Sequence, residues 1–417
     1  MKYKVIRNPK YNFAGRSHAS LYPNLHRYPA TMLPQIGIEV LKELNIGKGS
    51  LLDPYCGSGS SFMSGLECGI IDMAGFDINP LAVLISKVKF TKVSVDAIID
   101  TKAHLYESFF KCLKDKDTKE IAHHHITNAD FWFSKEVFQH LSILYDFINQ
   151  IKDEGVKRFC LLPFSETVRK CSYARNNEFK LYRIKPEDMI CFNPDVPGIY
   201  FNKLTDMIFS YSNVYLPKLK EHVKIDIHCS SFRYQNEVYD IVLTSPPYGD
   251  SRTTVSYGQF STLSNEWLGV QTARKIDGLL MGGTIAKSLY NKGVIADSIT
   301  EINRMDTKRA LEVTSYYYDI EKSIAEVAKS VKMGGKIIYV VGNRTVKGVS
   351  LPTDQFIAEV FEKNVFNHLI TYERDLSNKA MPLKNSPTNE TGKTVNTILY
   401  EYIVIGEKTG VRWDSCG

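Results

Sequence analysis

The chain has 417 residues, of which 43% are apolar and 24% are charged, and these proportions argue against a disordered or coiled-coil protein. No apolar run approaches the roughly 20 residues that cross a membrane, and the first residues lack the apolar stretch of a secretory signal. The eight cysteines are scattered without a CxxC pair, so we expect free thiols in a cytoplasmic protein and no metal site.

The net charge of +6 is unevenly distributed along the chain. Residues 1–30 contain six basic side chains and no acidic one, and residues 157–185 contain eight basic side chains against two acidic ones. The rest of the chain is therefore net acidic. Two basic windows of this kind indicate either a polyanionic partner such as nucleic acid or two solvated faces.

A strand–helix–strand pattern follows the N-terminal arm. Residues 50–52 predict a strand that ends in the turn DPYCGSGS, and apolar residues at helical spacing through Ile70 predict the next helix. Residues 73–76 predict a second strand, which ends in DINP, and a second helix begins at Pro80. This βαβ unit predicts an α/β protein with a mostly parallel sheet.

The remaining chain divides into three parts. Residues 1–95 hold the arm and the first half of the sheet, residues 96–221 are a largely helical insertion, and residues 222–408 complete the sheet. Within the last part, residues 251–310 are polar and glycine-bearing and form a further insertion. Later elements are predicted in chain order as strands 222–227 and 239–243, helix 317–331, strand 334–342, helix 353–363 and strands 366–374 and 397–406.

The turn DPYCGSGS has the composition of a ligand-binding turn. Gly57 and Gly59 let the backbone approach a ligand closely, and Asp77 closes the next strand, where an acid can accept hydrogen bonds from ribose hydroxyls. The turn lacks both the P-loop pattern and the third glycine of a dinucleotide site. The alternative is an ordinary glycine turn with an unrelated acid nearby.

The strand at 239–243 ends in Thr244-Ser245-Pro246-Pro247-Tyr248. The two prolines fix the backbone and remove two amide donors, so the turn presents rigid carbonyls. A serine hydroxyl and a carbonyl can accept the protons of an exocyclic amine, and a tyrosine ring can stack on a base. A purely structural double-proline turn is the alternative.

With these motifs the chain resembles the amino-group DNA methyltransferases that use S-adenosylmethionine, and its SPPY form is similar to the cytosine-N4 members. DPYCGSGS, FDINP, LHRYPATMLP before the first strand, HCSSF at 228–232 and TSPPY carry the resemblance, together with the loop KAMPLKNSPTNETG. It implies a Rossmann-like class I methyltransferase sheet with an antiparallel last strand. The implied cofactor-binding residues are Tyr28, Asp53, Pro54, Cys56, Gly57, Gly59, Asp77, Ile78, Cys229 and Ser230; the implied catalytic residues are Ser245, Pro246, Pro247 and Tyr248.

The resemblance further implies a bacterial restriction-modification enzyme that acts on double-stranded DNA, with a possible companion endonuclease for the same site. An adenine-N6 enzyme, an RNA base methyltransferase and a non-catalytic nucleic-acid-binding subunit stay open. The lack of any Pro-Cys pair in the chain argues against a cytosine-C5 enzyme.

The segment 159–183 interleaves basic and aromatic residues and predicts a helical DNA-binding surface, with Arg169, Arg175 and Lys180 as phosphate or base contacts. A solvated amphipathic helix pair is the alternative. The run of three histidines at 123–125 is not expected to bind metal, because adjacent side chains of a helix point in different directions. Trp132 is expected to lie in a hydrophobic core.

Overall fold

A single eight-stranded sheet organises the protein, as seen in a computed structural model that describes residues 2–13, 21–29, 31–115, 126–251, 256–376, 384–385, 395–396 and 399–410. Its strands are β1 (Val5–Arg7), β2 (Ser50–Asp53), β3 (Asp72–Phe76), β4 (Lys224–His228), β5 (Tyr239–Thr244), β6 (Val331–Gly342), β7 (Phe366–Asp375) and β8 (Tyr400–Lys408).

The strand order is β1-β7-β8-β6-β5-β2-β3-β4. Each neighbouring pair is parallel except those made by β8, which runs antiparallel between β6 and β7. The predicted α/β fold with a mostly parallel sheet and an antiparallel last strand is therefore confirmed.

Alternating side chains of the central strands enter two separate cores. Leu51, Ile241 and Leu243 face one core, whereas Leu52 and Val242 face the other. Both faces are covered because parallel strands are joined by helices that cross over the sheet. The almost continuous apolar run of β6 follows from this double burial, since every side chain in its second half is shielded from water.

The helices of the described residues are α1 (Pro34–Glu43), α2 (Ser60–Glu67), α3 (Pro80–Phe90), α4 (Val95–Asp115), α5 (Ala129–Trp132), α6 (Lys135–Asn149), α7 (Glu154–Cys171), α8 (Pro186–Ile190), α9 (Val196–Ser210), α10 (Tyr257–Trp267), α11 (Ile276–Leu279), α12 (Ala296–Met305), α13 (Thr307–Lys329) and α14 (Thr353–Lys363). Helices α12 to α14 pack on one face of the sheet, and α1 to α3 pack on the other.

The inserted helices α4 to α9 confirm the largely helical insertion. They share one continuous core with α2, α3 and the sheet: Phe109, Leu144 and Phe159 are fully buried in the same cluster as Phe62. Trp132 is also in this core, as predicted, at 6% exposure. The insertion is therefore packed as an extension of the sheet domain.

The structure corrects one local prediction and adds two elements that the sequence did not predict. The helix predicted to run through Ile70 is α2, and it ends at Glu67 because Gly69 adopts a left-handed φ of +88°. Ile70 is buried in the turn beyond it. Strand β1 is not signalled by its three residues and exists because Val5 pairs with Thr371 of β7. The polar insertion contains α10, whose Trp267 is fully buried.

Candidate active site

Parallel strands from both halves of the sheet end at one edge. Strand β2 ends at Asp53, β3 at Phe76 and β5 at Thr244. The strand order reverses direction between β2 and β5, and a crevice forms outside the carboxyl ends of strands at such a switch point. The two motifs singled out in the sequence, the glycine turn and the SPPY turn, therefore lie side by side.

A cavity of about 540 Å³ lies at this edge. Its walls come from the N-terminal arm, the glycine turn, the end of β3, the segment after β4, the SPPY turn, helix α13 and the second insertion. The lining residues are Tyr28, Thr31, Met32, Asp53, Pro54, Tyr55, Cys56, Gly57, Ser58, Ser60, Ser61, Asp77, Ile78, Asn79, Ser230, Ser231, Phe232, Arg233, Ser245, Pro247, Tyr257, Leu279, Leu280, Met281, Asp319, Lys322, Ser323 and Glu326. The volume is that of a small-molecule site.

Two side chains of helix α3 hold the glycine turn in place through hydrogen bonds. Ser86 donates its hydroxyl to the carbonyl of Gly57 at 2.7 Å, and Lys89 donates its ammonium to the carbonyl of Ser58 at 3.0 Å. Lys89 is buried, and this burial lowers its pKa to about 7. Gly59 has a φ of +82°, and a Cβ there would lie 2.4 Å from Phe90. The sequence therefore needs glycine at this position for backbone and packing reasons.

Asp77 presents its carboxylate to the cavity from the end of β3. It accepts hydrogen bonds from the amides of Asn79 at 2.8 Å and Gly57 at 3.0 Å, so it joins the two motifs. Burial raises the pKa of Asp77 to about 6, although these amides act in the opposite direction. A carboxylate that is shielded from water in this way is stabilised by each further hydroxyl that donates a hydrogen bond to it.

Asp53 is more deeply buried than Asp77 and has a structural role. It accepts hydrogen bonds from Thr244 at 2.5 Å, from the Tyr55 amide at 3.0 Å and from the Ser61 hydroxyl. These contacts fasten β2 to β5 and to the start of α2. Burial raises the pKa of Asp53 to about 6 as well, against the effect of its hydrogen bonds. Asp53 thus fixes the geometry of the turn and also contributes negative charge to the cavity wall.

Asn79 connects the cavity to the second insertion. It is fully buried, donates to the hydroxyls of Tyr28 and Ser261 at 3.0 Å each, and accepts from the amide of Asn265 at 3.1 Å. Tyr28 in turn stacks on Tyr257, with ring centroids 5.8 Å apart. The insertion thereby closes the cavity on the side of the N-terminal arm.

The SPPY turn contributes Ser245 and Pro247 to the cavity wall. Ser245 donates its hydroxyl to the Tyr248 oxygen at 3.3 Å, and Tyr248 donates to Glu401 of β8 at 3.1 Å. Burial and the neighbouring Glu401 carboxylate raise the pKa of Tyr248 well above its ordinary value. The phenol is therefore a neutral hydrogen-bond donor at neutral pH.

The structure brings ten of the fourteen predicted cofactor and catalytic residues to the cavity. Gly59, Cys229, Pro246 and Tyr248 are not among its lining residues. Sequence analysis missed the contribution of α13, which lines the cavity with Asp319, Lys322, Ser323 and Glu326. These polar residues recur at helical spacing on one face, a pattern that a search for polar stripes would have found.

The predicted DNA contact of Arg169 is wrong. This side chain is 6% exposed and donates to the carbonyls of Phe260 at 2.9 Å and Glu178 at 2.7 Å. Its guanidinium also lies 4.4 Å from the Phe260 ring centroid. Arg169 is therefore a structural residue that joins α7 to α10, and a phosphate has no access to it.

The predicted helix also ends before the other two basic residues. Helix α7 ends at Cys171, and residues 172–185, here called the basic loop, follow it. Arg175 is exposed in this loop, and Lys180 is half-buried. Leu181 donates its amide to Gln259 of α10 at 3.4 Å, two residues from the cavity-lining Tyr257. The basic loop therefore contacts α10, the helix whose first residue, Tyr257, lines the cavity.

Two sequence features fall largely or wholly outside the part of the chain that the structure describes: the histidines at 123–125 and the loop 379–392. Among the described residues, no group of three or more histidine, cysteine, aspartate or glutamate side chains is arranged to hold a metal ion. None of the described helices is long and apolar enough to cross a membrane.

Comparison with known proteins gives one extensive match. The chain is 37% identical over 433 aligned residues to the Type II methyltransferase M.MvaI of Kocuria varians, covering 96% of this chain and 94% of the relative. No family model matches the chain. Identity of this extent over nearly the whole of both proteins shows that they share a family, and the chain belongs to the Type II methyltransferases.

Solved structures give weaker likenesses. A protein described as a DNA modification methylase from Thermus thermophilus is 21% identical over 28% of this chain and 43% of that chain, with a TM-score of 0.18. The rRNA methyltransferase aviRa of Streptomyces viridochromogenes is 11% identical over 96% of both chains, with a TM-score of 0.34. Both TM-scores are under 0.5, so the family assignment rests on the sequence relative.

Proposed function

We propose that this methyltransferase acts at specific sites of duplex DNA and transfers a methyl group from S-adenosylmethionine to the N4 amine of a flipped-out cytosine. The observation that carries the proposal is the shared cavity: Ser245 of the SPPY turn lines the same space as Gly57 and Asp77 of the glycine turn. Family membership with a Type II methyltransferase supports it. A companion endonuclease for the same site follows from a role in restriction and modification.

The residues present fit S-adenosylmethionine. Ser58 lines the cavity with a buried hydroxyl that has no hydrogen-bond partner among the described residues, and Asp77 presents a carboxylate to the cavity that burial makes receptive to further donors. Asp77 would accept the ribose hydroxyls, and Ser58 and Ser230 would donate to other polar atoms of the cofactor. When bound, the cofactor supplies an electrophilic methyl group on a positively charged sulfur, and the acidic walls at Asp53 and Asp77 suit that charge.

The chemistry of the reacting amine assigns a role to the SPPY turn. The lone pair of an exocyclic amine is delocalised into the base, so the nitrogen is a poor nucleophile. Ser245 and the Pro246 carbonyl would accept the two amine protons and favour a tetrahedral nitrogen with a localised lone pair. Placed acceptors near developing positive charge lower the barrier without a covalent intermediate. Flipping the base out of the duplex costs a few kcal/mol, which contacts in the site must offset.

The product identifies the base. Random-sequence duplex DNA is methylated with the purified protein, digested and analysed by mass spectrometry, and N4-methylcytosine is the expected product. The SPPY form of the turn, which is similar to that of the cytosine-N4 members, supports cytosine as the base. N6-methyladenine would overturn the cytosine assignment and keep the amine chemistry, whereas methylation of RNA alone would overturn both.

Cofactor affinity is expected to depend on pH through Asp77. With a pKa of about 6, its carboxyl is ionised at pH 8 and accepts the ribose hydroxyls fully. Below pH 6 protonation removes that acceptor, so affinity measured by calorimetry should fall by up to about tenfold for each pH unit. Asp77→Asn should weaken binding by about 1–3 kcal/mol at pH 8 and abolish this pH dependence. If Asp77→Asn keeps the wild-type pH profile, the group that titrates would be Asp53 and not Asp77.

Duplex DNA is expected to contact the basic loop. Arg175 is exposed there, and Arg183 lies over the Phe131 ring at 4.2 Å, which presents charge and aromatic surface together. Arg175→Glu with Lys180→Glu should weaken DNA binding and reduce the slope of log K against log salt by about 0.9 for each phosphate that the protein no longer neutralises. Fluorescence anisotropy over a salt series measures the slope.

The matched control for the single variant Arg175→Glu is Lys363→Glu. Lys363 lies on α14, which packs on the opposite face of the sheet from the inserted helices. The same charge reversal there should leave the slope unchanged. Equal effects of both variants would show that total charge, and not the basic loop, governs DNA affinity.

A further inference from the structure

A chain of hydrogen bonds leads from the cavity into the interior of the sheet. Ser245 donates its hydroxyl to the Tyr248 oxygen at 3.3 Å, and Tyr248 donates to Oε1 of Glu401 at 3.1 Å. Glu401 lies on β8, far from the SPPY turn in sequence, and is only 4% exposed. The last residue of this series of hydrogen bonds therefore comes from the antiparallel strand β8.

Glu401 is held in place by a charged neighbour. Arg374 is its direct partner in the register between β7 and β8, and the Arg374 Nε lies 3.1 Å from the second carboxylate oxygen of Glu401. Arg374 also donates to the carbonyl of Tyr11 at 2.8 Å. A buried carboxylate requires such a partner, since its desolvation is otherwise costly. The pair leaves Oε1 directed at Tyr248.

The identity of the last group sets the direction of every hydrogen bond before it. A carboxylate has no proton and only accepts, so the single phenol proton of Tyr248 is committed to Glu401. The Tyr248 oxygen is then an acceptor for Ser245. The Ser245 proton therefore points away from the cavity, and the serine lone pairs are left for a donor inside it.

We propose that Glu401 is a positioning residue that fixes Ser245 as a hydrogen-bond acceptor and so selects an amine as the group to be methylated. The inference rests on the proposed function, in which Ser245 accepts a proton of the reacting amine. It goes beyond that proposal because Glu401 lies outside the SPPY turn and does not touch the substrate. It also gives a role to Tyr248, which is not among the lining residues and whose hydroxyl donates to β8.

Glu401→Gln tests the direction of these hydrogen bonds with little change in side-chain volume. The glutamine amide can donate to Tyr248, which allows Tyr248 to donate to Ser245 and occupy a serine lone pair. We expect kcat to fall about tenfold, the order of one hydrogen bond, while the dissociation constants of S-adenosylmethionine and DNA stay within about twofold of wild type. Glu407→Gln on the same strand, where Glu407 pairs with Lys336 at 2.9 Å, is the control and should keep the wild-type kcat.

Tyr248→Phe breaks the chain by a second route and leaves the pair of Glu401 and Arg374 intact, so it serves even where Glu401→Gln impairs folding. It should lower kcat to a similar extent, and the double variant should be no slower than the single variants because both remove the same chain. Wild-type kcat in Tyr248→Phe, or fully additive losses in the double variant, would overturn the inference. A wild-type protein that methylates no amine in DNA would instead refute the proposed function on which it rests.

Discussion

Ser245→Ala is expected to lower kcat by about 100-fold and to leave the dissociation constant of S-adenosylmethionine unchanged. The serine hydroxyl lines the cavity at the end of β5 and is the acceptor assigned to the reacting amine. Loss of one placed group that acts on charge developing in the transition state costs about 100- to 1,000-fold in comparable sites. The lower figure is expected because the Pro246 carbonyl stays in place. Single-turnover methylation of duplex DNA measures the rate, and calorimetry measures the cofactor affinity.

The control for this prediction is Ser298→Ala. Ser298 lies on α12 and donates its hydroxyl to the carbonyl of Ser350, outside the cavity. The same truncation there should leave both rate and affinity at wild-type values. A Ser245→Ala variant that binds the cofactor normally and methylates at the wild-type rate would remove the SPPY serine from the mechanism.

Gly59→Ala is expected to destabilise the protein at the glycine turn by about 2–5 kcal/mol. The left-handed backbone of Gly59 costs a residue with a side chain about 1–2 kcal/mol. The added Cβ would lie 2.4 Å from Phe90, and overpacking of this kind costs about 1–3 kcal/mol more. Since Gly59 caps α2 and follows the cavity-lining Ser58, S-adenosylmethionine binding should weaken together with stability. Chemical unfolding and calorimetry measure the two effects.

Gly348→Ala separates the two causes. Gly348 has almost the same φ, +83°, but its Cβ would meet no atom within 4 Å, and the residue is exposed in a hairpin turn remote from the cavity. This variant should lose only about 1–2 kcal/mol and keep its cofactor affinity. Equal destabilisation of both variants would show that Phe90 moves aside and that backbone strain alone requires glycine at position 59.

The sequence by itself determined the elements that depend on local chemistry. Glycine and proline restrict the backbone residue by residue, so the turns around Gly57 and Pro246 could be placed at the ends of strands before any packing was known. The apolar runs of β5 and β6 reflect burial on both faces, which marks the centre of a parallel sheet. Those two signals together predicted the α/β class, and with the family resemblance they named ten of the residues that line the cavity.

Only the tertiary structure decided which charged and polar side chains are available to a ligand. Arg169 and Arg175 have the same chemistry and lie six residues apart, yet one is buried against Phe260 and the other is exposed. Glu401 reaches Tyr248 because β8 inserts antiparallel between β6 and β7, a pairing set by contacts across the whole chain. A side chain's exposure and partners depend on neighbours that are distant in sequence, and no local pattern of residues encodes them.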